Sequence, residues 1–382
     1  RHFNLSVGVT DLFMDAVKAD QEWPLTFNGQ VYTTVSAKYL WNKIVTNAYN
    51  SAEPGVIFID RLNKANNLHY CEHMEATNPC AEQPLPPYGL CTLGSFNYAG
   101  YVVGLPNRAF GFNFDAFKRD IHAAVEAYDN VFDKANYAIP EHKHEALSKR
   151  RMGLGATGIA TAIELIIGEP SYGNFQYCMF MEKVSKELCY ESYRASINLS
   201  KERGPFPLFD RDKYLAGEFI KTLPDDIQQG IYDYGIRNSH LVSYAPCGTI
   251  SLCAGNVSSG IEPIFFHSVE RELHMKDGKE KVTLNDFNWR HFDFKGKTLE
   301  DCSVDDHIRV AAIAQKYCDS AVSKTINVAP TCPYSEYEKI YLDAYENGSK
   351  GITVFRPNKV LGNGVITKAG ESGSCIDGVC TL

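Results

Sequence analysis

The chain contains no C-x-x-C pair, and 11 histidines are few for 382 residues, so a structural zinc site of ordinary Cys/His spacing is not expected. No apolar run of roughly 18 or more residues occurs, and the opening residues RHFNLSVGVTD lack the apolar centre of a signal peptide. Positive charge is also scarce. Lys and Arg number 38 against 46 Asp and Glu, for a net charge of -8, and the basic residues are scattered rather than clustered. A nucleic-acid-binding surface is therefore not expected, and a polyphosphate ligand would have to be held locally. These absences describe a globular cytoplasmic protein with no membrane span and no direct DNA binding.

What is present is a 44% hydrophobic composition, enough for a sizeable core. The 12 cysteines are too dilute in a chain of this length for a disulfide scaffold, so most are read as reduced thiols. Short apolar segments such as PGVIFID (54–60) alternate with longer amphipathic ones such as FDAFKRDIHAAVEAYDNVFDKA (114–135), the rhythm of an α/β fold. The stretch 303–324 reads as a helix with an acidic start and a basic end. The stretch 335–357 reads as helix, Gly/Asn stop and strand. The first residue is Arg, and RHFNLSVGVTDLFMDAV reads as a strand running straight into a helix, a start inside a larger fold. Two regions are expected: 1–358, part of the α/β body, and 359–382, a mobile Gly/Ser-rich tail.

Three motifs carry chemistry. Gly153, Gly155 and Gly158 have dinucleotide-site spacing, but the residues before them are charged and helical in pattern where that fingerprint needs a strand. Close backbone packing is the preferred reading. Ala245, Pro246, Cys247, Gly248, Thr249, Ile250 and Ser251 lead from an apolar strand into a short helix. That turn either offers backbone N–H groups and hydroxyls to an anion, or is an N-capped helix in which Thr249 or Ser251 satisfies orphan amides. Finally, in ATNPCAEQPLPPYGLCTLGSFN an extended backbone would place Asn78, Cys80 and Glu82 on one face, presenting an amide, a sulfur and a carboxylate to one small polar ligand. A carboxylate two residues from a thiol raises the thiol pKa. That is wrong for a thiolate nucleophile and harmless for a thiol that loses a hydrogen atom.

NPCAEQPLPPYGLCTLGSFN resembles the active-site finger loop of ribonucleotide reductase large subunits. RHFNLSVGVTDLFM, APCGTISLCAGNVSSGIEPIF, SKTIN and KGITVFRPN resemble further segments of that family, in its order. The resemblance implies the later part of a ten-stranded α/β barrel, related to that of glycyl-radical enzymes, with a central finger loop. It implies that Cys80 is the thiyl that abstracts the 3′ hydrogen of the ribose, that Glu82 takes the 3′-OH proton, and that Asn78 binds the ribose hydroxyls. Cys91 matches one of two reducing cysteines whose partner lies on an early strand outside this sequence, so a separate N-terminal polypeptide is an expected partner. The 245–251 turn matches the substrate-phosphate site. Cys375 and Cys380 match shuttle cysteines that exchange with thioredoxin or glutaredoxin.

Thr353 and Val354 stand where the class with a separate radical subunit carries adjacent tyrosines, and Glu82 is absent from the glycyl-radical class. The resemblance is thus to the adenosylcobalamin-dependent class, which reduces ribonucleoside di- or triphosphates. The rival reading is a non-catalytic, nucleotide-binding remnant or regulatory partner with the same fold.

Overall fold

In a computed structural model of the protein, residues 4–106, 109–275 and 278–357 are described; the expected tail, with Cys375 and Cys380, lies outside them. The strand Ser6–Val9 runs into the helix Asp11–Lys18, which Thr10 caps by accepting from the Phe13 amide at 3.1 Å. This is the strand-to-helix passage expected from the first residues. The apolar run at 54–60 forms the fully buried strand Gly55–Phe58. The amphipathic stretch 114–135 forms the helix Phe114–Lys134. Of the 303–324 stretch, only Val304–Lys316 is helical, begun by a capping box between Ser303 and Asp306. The remaining residues turn into the sheet. The 335–357 reading holds as the helix Tyr334–Glu346 followed by the strand Gly351–Phe355.

Seven stretches lie side by side through hydrogen bonds, in the order Ser6–Val9, Gly55–Phe58, Gly351–Phe355, 320–327, 240–244, Met152–Thr157 and Thr92–Asn97. The first two are parallel to each other, and the last five are parallel among themselves. The joint between Gly55–Phe58 and Gly351–Phe355 is antiparallel. Such an array of two parallel groups packed against helices has the strand arrangement of a partial barrel. One apolar cluster packs the long helix Phe175–Arg203 and the helix Phe114–Lys134 against the strand Met152–Thr157, while a second packs the first helix, Trp41 and Tyr337 around Val56 and Val354.

The glycine string sits inside the strand Met152–Thr157, not after one. A Cβ at Gly153 would lie 2.6 Å from the Gln83 amide nitrogen and the Ser243 Cβ, and one at Gly155 would collide with the Ser243 carbonyl oxygen. Gly158 adopts φ 68° at the start of the helix Ile159–Ile167. Its first turn is capped instead by Ser258, whose Oγ accepts from the amides of Ala160 (3.1 Å) and Thr161 (3.2 Å). Close packing is what these glycines serve.

Candidate functional site

Asn78, Cys80 and Glu82 do not lie on an extended strand. Ala76–Thr77 pairs antiparallel with Pro84–Leu85, and the residues between them form a turn. The cause is Asn78. Its amide donates to the Gln83 carbonyl at 3.0 Å, its Oδ1 accepts from the Gln83 amide at 2.9 Å, and its carbonyl accepts from the Ala81 amide at 3.0 Å. Asparagine closes such turns readily through its side chain. Ala81 takes a left-handed φ of 66°, which costs a residue with a Cβ of order 1 kcal/mol and persists because the turn is pinned on both sides.

The hairpin is fastened over the sheet. The Glu82 carbonyl accepts from the Ala321 amide at 3.0 Å and from the Ser243 hydroxyl at 2.9 Å, while Asn4 Nδ2 donates to the Pro79 carbonyl at 2.9 Å. Glu82 is only 2% exposed, and its Oε2 has no partner among the described residues. Burial pushes its carboxyl above the usual carboxylate range, and hydrogen bonds from the backbone and from the Asn78 side chain partly offset this. The turn therefore still brings Asn78 and Glu82 together.

Cys80, half-buried and free, sits on the turn beside Glu82. Its thiol is pushed up by burial and then by the Glu82 charge, so it stays protonated. Below the hairpin runs the strand Thr92–Asn97, which Cys91 directly precedes; by the period of two, Cys91 falls on the same side as Leu93 and Ser95. The Cys91 thiol is raised by burial; Arg151 draws it down, and Asp319 and Glu82 push it up again. Cys247 Sγ donates to Ser95 Oγ at 3.2 Å. That thiol is raised by burial, lowered by its bonds with Ser95 and Thr157, and raised slightly by Glu82. One buried carboxylate thus acts on three thiols, Cys80, Cys91 and Cys247.

The 245–251 turn follows the 240–244 stretch directly. The helix Gly248–Cys253 has Cys247 at its N-cap and no side-chain cap, so neither Thr249 nor Ser251 satisfies its first amides. Ser251 is buried and its hydroxyl donates back to the Gly248 carbonyl at 3.0 Å, whereas Thr249 and Ile250 are exposed. Ala245 and Pro246 are half-buried, and the Ala245 carbonyl rests against Gly260. The amides of Gly248, Thr249 and Ile250 therefore have no helical acceptor, the condition under which an anion can dock.

Sequence reasoning missed Ser95, Ser243, Arg151 and Asp319. Ser95 was within reach of a period-two count from Cys91. Arg151 sits in a charged run, KRR, that reads as solvent-facing. Among the described residues no cluster of three or more His, Cys, Asp or Glu is placed to hold a metal ion, and no helix is long and apolar enough to cross a membrane.

Over residues 1–292 and 275–355 the chain matches the family described as ribonucleotide reductase, barrel domain. It is 32% identical to a vitamin B12-dependent ribonucleoside-diphosphate reductase of Thermoplasma acidophilum, over 93% of this chain and 47% of that protein. To the protein of that name in Mycobacterium tuberculosis it is 30% identical, over 93% of this chain and 52% of the relative. A vitamin B12-dependent ribonucleotide reductase of Streptomyces clavuligerus is 22% identical over 96% of this chain and 44% of its own length. The chain spans about half the length of these curated relatives.

Proposed function

The chain belongs to the ribonucleotide reductase barrel-domain family, and on that footing we propose that it carries the catalytic hairpin of an enzyme that reduces ribonucleotides to 2′-deoxyribonucleotides for DNA precursor synthesis. The observation that carries this reading is the hairpin itself: a protonated thiol, Cys80, beside a buried and under-bonded carboxylate, Glu82, above a strand that Cys91 directly precedes. Hydrogen-atom abstraction needs a neutral thiol rather than a thiolate, and proton removal from the 3′-OH needs a carboxylate with raised proton affinity. In this reading Cys80 acts as the thiyl and Glu82 as the base. Asn78 orients the ribose hydroxyls, and Cys91 supplies one of two reducing thiols as the 2′-OH leaves as water. The turn of Ala245, Pro246, Cys247, Gly248, Thr249, Ile250 and Ser251 receives the substrate phosphates, through the uncapped amides of Gly248, Thr249 and Ile250.

The residues present fit adenosylcobalamin as the radical source. Cys80 is free, half-buried and protonated on the hairpin turn, and neither Thr353, exposed, nor Val354, buried, can relay a radical. When bound, that cofactor supplies the initiating carbon radical. Outside the described residues, Cys375 and Cys380 exchange with thioredoxin or glutaredoxin. A separate N-terminal polypeptide supplies the second reducing cysteine and continues the barrel. Its support is the pair of edge strands, Ser6–Val9 and Thr92–Asn97, that each have one sheet neighbour among the described residues and so leave room for further strands. The reaction belongs in the cytoplasm.

The test is Cys80→Ser in the complete enzyme. Deoxynucleotide formation should vanish while nucleotide binding, followed by equilibrium dialysis, persists. Turnover above about 1% of the native rate rejects the assignment, because losing an obligatory radical site raises the barrier by several kcal/mol.

A further inference from the structure

We propose that Arg151 is a positioning residue for Cys91, a buried cation set beside the thiol to stabilise it when it leaves a disulfide as a thiolate. The proposal rests on the redox reading of Cys91 and adds the group that makes its exchange feasible. Its basis is register. Met152 pairs with Thr92 in the parallel sheet, and the Thr92 amide donates to the Arg151 carbonyl at 3.4 Å. Arg151 therefore stands opposite Cys91, and residues opposite each other in a parallel pair point to the same side.

The guanidinium is held in place. Arg151 is 2% exposed, ion-paired to Glu72, with Nε donating to His240 Nδ1 at 3.4 Å. Glu72 does not cancel its charge alone, because Lys149 also engages that carboxylate at 2.8 Å while pairing with Glu145 at 2.5 Å. His240 stays neutral, disfavoured as a cation by burial and then by Arg151, Lys350 and Lys149. The anions facing Cys91 from the other elements are Asp319, itself bonded to the Leu241 and Val242 amides, and Glu82 on the hairpin. Both oppose a thiolate. Arg151 is the group on the opposite side of that balance.

The exchange it serves balances as follows. A thiolate of an external dithiol attacks the sulfur bonded to Cys91; a mixed disulfide forms there, and Cys91 departs with the bonding electron pair. The second thiol of the reductant then closes the reductant's own disulfide, and the two protons of the dithiol end on the two protein sulfurs. The reductant is oxidised by two electrons and the protein disulfide is reduced by two. A leaving thiolate of lower proton affinity leaves faster.

Iodoacetamide alkylation of Cys91, resolved by peptide mass mapping between pH 6 and 10 in the complete protein, reads its thiolate without any turnover. Arg151→Met combined with Glu72→Gln removes the pair, and Arg151→Lys keeps the charge. The double variant should alkylate about tenfold more slowly at pH 8, with the Lys variant within about threefold of the native rate, since one pKa unit is a factor of ten in thiolate below the pKa. Equal rates in all three, with native circular dichroism, overturn the proposal. If the double variant does not fold, Glu72→Gln alone decides. Freeing the Arg151 charge should speed alkylation about threefold, and an unchanged or slower rate overturns it. A reductase turning over normally with Cys91→Ser would instead refute the redox reading, leaving the alkylation result intact.

Discussion

Glu82 has a folded-state proton affinity above that of the same carboxyl in the unfolded chain, because burial opposes its charge. The unfolded carboxyl titrates near ~4.3. Below that pH both states are protonated and burial carries no ionic cost. As pH rises from there to the raised folded value, the unfolded chain releases its proton first, and stability falls across that window. Glu82→Gln removes the window. It should raise the calorimetric midpoint by about 1–2 °C at pH 7 and leave it nearly unchanged at pH 4, and an equal shift at both values would reject the assignment. In the proposed reaction Glu82 is the base, so the same variant should also lack reductase activity. At this scale the sequence was informative where the proposed site draws on adjacent residues, as with Asn78, Cys80 and Glu82. It was silent where the proposed site is assembled from distant strands, as with Ser243 under Glu82 and Arg151 opposite Cys91.

The strand Met152–Thr157 shows how an element was legible in one sense and misleading in another. Its glycines were readable as a packing device because a charged helix precedes them. That the device is a strand on which the Gln83 side chain and the 240–244 stretch rest depends on contacts between residues 70 or more positions apart. Gly155→Ala should cost about 3 kcal/mol in urea unfolding, because the new methyl meets the Ser243 carbonyl and the backbone cannot yield without breaking its pairing with Leu154. Gly104→Ala, in the short strand Val102–Gly104 with open space around it, should stay within about 0.5 kcal/mol of the native chain. Similar losses at both positions would mean that the glycines serve something other than close approach. The hairpin was misjudged at this scale for a related reason: alternation was counted through Asn78–Glu82, but Asn78 bonds to Gln83 on both its backbone and its side chain and forces a turn.

For the whole molecule, the α/β alternation was legible because the strands are short apolar runs, buried throughout in Gly55–Phe58, and the helices carry clear amphipathic stripes. The order in which the strands meet was not legible, since neighbours such as Gly55–Phe58 and Gly351–Phe355 are almost 300 residues apart in sequence. The proposed shuttle role of Cys375 and Cys380 makes a demand at this scale. Replacing both by Ser in the complete enzyme should abolish thioredoxin-supported cycling while sparing the first turnover and activity with a small dithiol, followed by rapid quench. Full cycling, or loss of the first turnover, would separate the tail from regeneration.

The five-stranded parallel group gives the site a direction. Cys91 precedes the strand Thr92–Asn97, whereas the 245–251 turn follows the 240–244 stretch, parallel to it and one strand further on across Met152–Thr157, and the contact of Cys247 with Ser95 fixes how far along the strand that turn reaches. Four residue steps along the strand, about 13 Å, separate Cys91 from that contact. In the proposed reaction the strand is a ruler with an electron port at one end and an anion berth at the other. Traffic at the two ends then need not share a doorway, and a reductant can reach its sulfur without first evicting whatever occupies the berth.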